Sequence, residues 1–286
     1  MKINVIWLFL CTSLMPALVL GAPQSIVSAD GSLTEIVYAL QQQHRLVGVD
    51  TTSKYPAQAA TLPQIGYKRN ISAEGVLSLA PQVLIATEDS GPDIILKQIA
   101  EAGVTIERYS AKPGLAVVRE KIQGLAKLLE VEAAGDALWQ QVSTDVARAR
   151  AKLSQVKEPV KVMFVLSTAG GSVLASGADT MADAIIGLAG GVNAISAFTG
   201  YKPISVEAIV SAAPDVILMM ARGGDHGGGE DLLAREGFKL TPAAINNRLV
   251  KMDGMLMLGF GPRIGEAINR LVADFYPRLD VAATVQ

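Results

Sequence analysis

A chain of 286 residues has room for two domains of ordinary size. Half of it is apolar and 18% is charged, which argues against disorder, since a disordered chain needs low hydrophobicity and high net charge. A formal charge of −2 leaves no basic excess for gripping phosphates, and aromatics at 5% give no stacking platform, so nucleic acid is a poor partner.

Residues 1–22 read as a secretory signal. Met1 and Lys2 give the short positive start, residues 5–20 a mostly apolar run, and Gly21 and Ala22 the small residues for cleavage. The run is interrupted at Cys11, Thr12, Ser13 and Pro16, and is short for a membrane span, which needs about 20 apolar residues. Cys11 is the only cysteine. Leu8-Phe9-Leu10 ahead of it lacks the small residue and the longer apolar run of a lipoprotein signal. The mature chain then has no disulfide, no zinc–thiolate site and no thiol nucleophile. The expected compartment is an exported one, most simply a bacterial periplasm.

From residue 25 the pattern alternates short apolar runs with amphipathic stretches. Strands are expected at 25–28, 46–49, 83–86 and 104–106, with helices at 32–40 and 93–102. The helix at 32–40 puts Leu33, Ile36, Val37 and Leu40 on one face. The second half repeats the scheme, with strands at 160–166 and 216–220 and a helix at 180–188. Such alternation points to parallel sheets covered on both faces. Gly170-Gly171 and Gly190-Gly191 lack the spacing of a phosphate-binding loop and read as turns or helix ends. Met219-Met220 and the methionines from Met252 to Met257 read as core strand residues, with Met255 or Met257 near the cleft as the lesser reading.

Residues 71–86 align with 204–219, an offset of 133. Each copy reads as a capped helix, a proline turn and a buried strand. Ser72 and Ser205 are the expected N-caps, with Glu74 and Glu207 in the first turn, where the helix dipole favours them. Duplication and two lobes obeying the same physics both explain the match. Between the copies, residues 114–154 hold no proline and are rich in helix formers, with Gly124 and Gly135 as the expected breaks. A helix over 132–154 would span roughly 35 Å and could bridge two lobes with little bending. The expected division is a signal at 1–22, a first lobe at 23–130, a linker helix at 131–156 and a second lobe at 157–286.

These features carry a family resemblance. The most specific are Gly66-Tyr67-Lys68-Arg69 after Leu62-Pro63-Gln64-Ile65, the Glu74-bearing helix, residues 180–186 with 189–194, and Met252 through Arg263. From residue 25 to about 277 the chain resembles the haem-binding members of the helix-linked, class III periplasmic substrate-binding proteins of ABC importers. Cobalamin- and ferric-siderophore-binding proteins are relatives of that group. The resemblance implies two Rossmann-like lobes with parallel sheets joined by one long helix, and no catalysis. It implies a monomer that captures haem as its transported ligand and hands it to an inner-membrane permease, with an outer-membrane haem receptor upstream.

The same resemblance makes Tyr67 the ligand of ferric haem iron. The chemistry suits it: tyrosine is an axial haem ligand in catalase, and its hard anionic oxygen favours Fe(III). A free phenol has a pKa near about 10, so a neighbouring cation is needed, and Arg69 at i+2 could share its face in an extended loop. On the residues alone, Tyr67 reads as an ordinary loop tyrosine packing on the lobe edge, and it is the resemblance that favours ligation. Lys68, Arg69, Arg222 and Arg263 are candidates for the haem propionates, because arginine pairs bidentately with carboxylates. His226, in the glycine-rich stretch 223–229, is a candidate second axial ligand as well as a plain surface histidine. Residues 166–171 hold no histidine where some relatives carry one, which favours a single haem. Glu74 and Glu207, one per lobe, are expected to dock on the transporter. A cobalamin or siderophore carrier is the alternative within transport. An exported enzyme fits worse, with no Gly-x-Ser-x-Gly, no His-Glu-x-x-His and two histidines in all.

Overall fold

The computed structural model describes residues 24–168, 172–221 and 232–282. In chain order its first half runs β1 (Ile26–Ser28), α1 (Gly31–Ala39), β2 (Leu46–Val49), β3 (Gly66–Tyr67), β4 (Asn70–Ile71), α2 (Ala73–Leu77), β5 (Val83–Thr87), α3 (Asp93–Glu101) and β6 (Thr105–Tyr109). Two helices follow, α4 (Leu115–Leu128) and α5 (Glu132–Leu153). The second half runs β7 (Lys161–Ser167), β8 (Val173–Ser176), α6 (Met181–Leu188), β9 (Val192–Asn193), β10 (Tyr201–Ile204), α7 (Val206–Ala212), β11 (Val216–Ala221), α8 (Pro242–Ile245), β12 (Leu249–Asp253), α9 (Gly254–Leu258), α10 (Ile264–Phe275) and α11 (Pro277–Ala282). Among the described residues no helix is long and apolar enough to cross a membrane.

Two sheets centre two lobes. The first, ordered β2-β1-β5-β6, is parallel throughout. The second is mixed, which departs from the expectation of parallel sheets: β7, β11 and β12 run parallel, but β8 lies antiparallel on β7 and β10 antiparallel on β8. Chain length explains the reversal. Only residues 168–172 separate β7 from β8, and a parallel neighbour needs a crossover of about a dozen residues or more.

The internal repeat is structural. Ser72 and Ser205 both cap their helices, accepting from the amides of Gly75 and Ala208 at 3.1 and 3.2 Å. Each copy then turns through a left-handed alanine, Ala80 (φ 45°) or Ala213 (φ 42°), ahead of a proline. Each then enters a buried strand, β5 at Val83 or β11 at Val216.

The expected breaks at Gly124 and Gly135 do not occur. Both glycines lie inside helices, and the chain turns instead at residues 129–131, where Glu130 adopts φ 59°. The glycines are there for contact. A Cβ on Gly124 would stand 2.6 Å from the Tyr109 ring, and one on Gly135 would stand 2.4 Å from the Ala126 Cβ. α5 therefore lies close along α4 on one side and packs on α10 on the other. One continuous apolar core joins Ile26, Leu33 and Ile36 of the first lobe to Ile122, Val142 and Val146 of the helices, and on to Phe164, Ile268 and Leu271 of the second. The methionines also differ from expectation. Met252 is buried on β12, but Met255 and Met257 belong to α9 rather than to a strand.

Candidate ligand-binding cleft

Between the lobes opens a cleft of about 1170 Å³. The first lobe contributes a wall built on the β3–β4 hairpin. Gly66 pairs with Ile71 and Tyr67 with Asn70, which leaves Lys68-Arg69 as the two-residue turn. The hairpin requires its glycine: Gly66 sits at φ 99°, and a Cβ there would meet the Asn70 carbonyl at 2.9 Å. Asp50, at the end of β2, fastens the hairpin. Its carboxylate accepts from the Thr52 amide (3.0 Å), the Thr52 and Ser53 hydroxyls (2.9 Å each) and the Lys68 amide (3.2 Å).

Tyr67 is 43% exposed and lines the cleft. Arg69 donates to its phenol oxygen at 3.1 Å, so the expected pair forms, though across a hairpin turn rather than along an extended loop. A second bond, to Asp89 at 2.6 Å, holds the guanidinium. Exposed pairs of this kind are worth about 0–1 kcal/mol, so this one matters for aiming Arg69 at the phenol rather than for stability.

Lys68 has turned inward. Its ammonium donates to Asp30 at 2.7 Å, Asp89 at 2.9 Å and Thr87 at 3.3 Å, and the side chain is 16% exposed. This engagement separates it from the expected propionate role. Burial opposes the charges here, but the pairing outweighs it: Asp30 is held below the usual carboxylate range by Lys68 and Lys121, and Asp89 is lowered to about 2, chiefly by Lys68. Lys121 completes the floor. It is buried, donates to the Ser32 hydroxyl at 3.0 Å and the Gly259 carbonyl at 3.3 Å, and its pKa is lowered by desolvation.

Arg263 is also engaged elsewhere, off the cleft wall. It binds Glu35 bidentately at 2.9 and 2.6 Å and stacks over the Tyr55 ring at 3.6 Å, which ties the start of α10 to α1. Arg222 and His226 lie outside the described residues, as do the expected signal at 1–22 and Gly170-Gly171. Gly190 ends α6 at φ 77°, as expected of a helix-terminating glycine. Glu74 and Glu207 are exposed in the first turns of α2 and α7.

The second-lobe wall is formed by Leu166, Met181, Tyr201, Met220, Met255 and Leu258, with Asp179 and Asp253 beside them. Several of these cleft residues were not anticipated. Lys121 had a signal: it shares the stripe of Val118, Ile122 and Leu125, where a lysine on an apolar face needs buried partners. Lys54, an exposed cation on the rim with no ion pair among the described residues, had none.

Two α/β lobes braced by helices around a deep cleft, with ligand-facing side chains on both walls, are the architecture of a solute-binding protein. The chain belongs to the periplasmic binding protein family, which matches residues 26–256, and it is a substrate-binding protein of an ABC transporter. Among solved structures it is similar to the periplasmic heme-binding protein BhuT in complex with two hemes, at 40% identity and TM-score 0.85 over 91% of this chain and all of that one. The apo periplasmic heme-binding protein RhuT from Roseiflexus sp. RS-1 gives 36% and 0.85 over 90% of this chain and all of that one. An uncharacterized ABC transporter substrate-binding lipoprotein of Bacillus subtilis is 28% identical over 259 residues, 89% of this chain and 81% of that protein. The relatives also include vitamin B12-binding proteins, such as that of Vibrio cholerae, 28% identical over 225 residues.

Proposed function

We propose that this protein captures ferric haem in the inter-lobe cleft and delivers it, in the periplasm, to an ABC transporter. The observation that carries the reading is Tyr67, a phenol exposed on the cleft wall with a guanidinium 3.1 Å from its oxygen. Tyr67 loses its proton to solvent as the Fe–O bond forms, and Arg69 stabilises the resulting phenolate. The heme-binding neighbours at 36–40% identity support the ligand's identity. Lys54 and the free edge of Arg69 offer charge to the propionates at the rim, while Met181, Met220 and Met255 present an adaptable apolar face to the porphyrin. Lobes at 23–130 and 157–286 flank the helical brace, and Glu74 and Glu207 dock one on each half of the permease.

Titration of the mature protein with ferric haem, followed by absorption, tests this. The expected result is saturable binding with a tyrosinate charge-transfer band, and affinity lowered at least tenfold in Tyr67→Ala, a loss of about 1.4 kcal/mol or more. No binding by the wild-type protein, or binding indifferent to Tyr67, would overturn the reading. The B12-binding relatives favour a second one, a corrinoid carrier. Cyanocobalamin binding that survives Tyr67→Ala would establish that instead.

A further inference from the structure

The second-lobe wall carries a phenol of its own. Tyr201 opens β10 and lines the same cleft as Tyr67. Its ring meets Phe164 edge-on, with centroids 6.3 Å apart at 63°, so the side chain is braced from behind. The side chain is 37% exposed, so part of it stays open to the cleft.

The rest of that wall suits ferric iron less well. Met181, Met220 and Met255 offer soft thioethers. Asp253 is taken as the N-cap of α9, accepting from the Leu256 amide at 2.8 Å. Asp179 sits exposed on a turn at φ 57°. No histidine lines the cleft among the described residues.

We infer that Tyr201 is a second iron ligand, holding haem from the second-lobe wall while Tyr67 holds it from the first. The inference rests on the haem reading above. On ligation the Tyr201 O–H bond breaks, an Fe–O bond forms and the proton goes to water, with no change in oxidation state. The titration endpoint distinguishes a single haem gripped on both faces from a stacked pair with one phenolate each.

The experiment is a ferric-haem titration of wild type, Tyr67→Phe, Tyr201→Phe, the double variant and Asp179→Asn, reading affinity and the iron–phenolate bands by absorption and resonance Raman. Phenylalanine keeps each ring and its packing, and near-ultraviolet circular dichroism checks the fold. Each single Phe variant should keep a weakened iron–phenolate signature and lose about tenfold or more in affinity or one haem equivalent, and the double variant should lose the signature entirely. If Tyr67→Phe alone abolishes the signature and Tyr201→Phe matches wild type, Tyr201 is no ligand and the haem reading stands. Loss in Asp179→Asn with Tyr201→Phe unaffected would likewise overturn the assignment. If wild type binds no haem, both readings fall together.

Discussion

Asp89 accepts from both cations of the hairpin turn, Lys68 at 2.9 Å and Arg69 at 2.6 Å, and so couples the aim of Tyr67 to a carboxylate. Burial alone would raise its pKa, yet these partners lower it to about 2. A carboxyl depressed in the folded state stabilises fully above its unfolded pKa, about 3.9, and that contribution is lost as pH falls through the folded value. Denaturant midpoints measured against pH should therefore fall between about pH 4 and 2, with Asp30 contributing in the same direction, while Glu35 and Asp50, raised by burial, act oppositely at higher pH. Asp89→Asn should be less stable above about pH 4 and show a shallower acid limb; an unchanged limb would exclude Asp89 as its source. Tyr67 and Arg69 were legible before the fold because the turn motif carries them. The identity of the partner that holds Arg69 was not, since Asp89 stands 20 residues away on the loop after β5 and only the sheet brings it near. Arg263 was misplaced for the same reason: its partner, Glu35, is 228 residues distant.

At the scale of elements, the strands and helices of the first lobe were readable almost to their ends, because apolar runs, caps and turn residues agree there. The antiparallel strands β8 and β10 were missed. They are short, and β10 carries exposed Tyr201, Lys202 and Pro203, so neither shows the continuous apolar run of a buried strand. The helix glycines were misread because sequence cannot tell a glycine that ends a helix from one that lets another surface approach. That distinction is measurable. Alanine is favoured over glycine in a helix by about 1 kcal/mol. At Gly187 of α6 a Cβ meets nothing within 4 Å, so Gly187→Ala should stabilise by about 0.5–1 kcal/mol. At Gly135 the Cβ would stand 2.4 Å from that of Ala126, and overpacking costs about 1–3 kcal/mol, so Gly135→Ala should destabilise despite its propensity gain. Urea unfolding of the two variants checks the opposite signs; a shared sign would mean that α4 and α5 are not held in this contact.

Across the whole molecule, the lobes are joined by more than a linker. The apolar core runs through α4, α5 and α10 without interruption, and the Arg263–Glu35 pair, with side chains 19% and 5% exposed, crosses from one lobe to the other. Breaking a buried pair by removing one partner costs about 3–5 kcal/mol, because the remaining charge stays buried. Arg263→Ala should lose about that much at neutral pH. Glu35 is already raised by burial and would rise further without its cation, so the folded variant should take up a proton and the loss should shrink as pH is lowered toward 5. Denaturant unfolding at the two pH values checks this, and an equal loss at both would show that Glu35 is not the stranded charge. A frame fused in this way has a consequence for the traffic of its cargo. Walls that share one continuous core move little relative to each other, so little ordering entropy opposes loading and little conformational recoil is available to expel what is bound. Unloading is then uphill for the isolated chain, and the work must be done by the surface that receives the cargo.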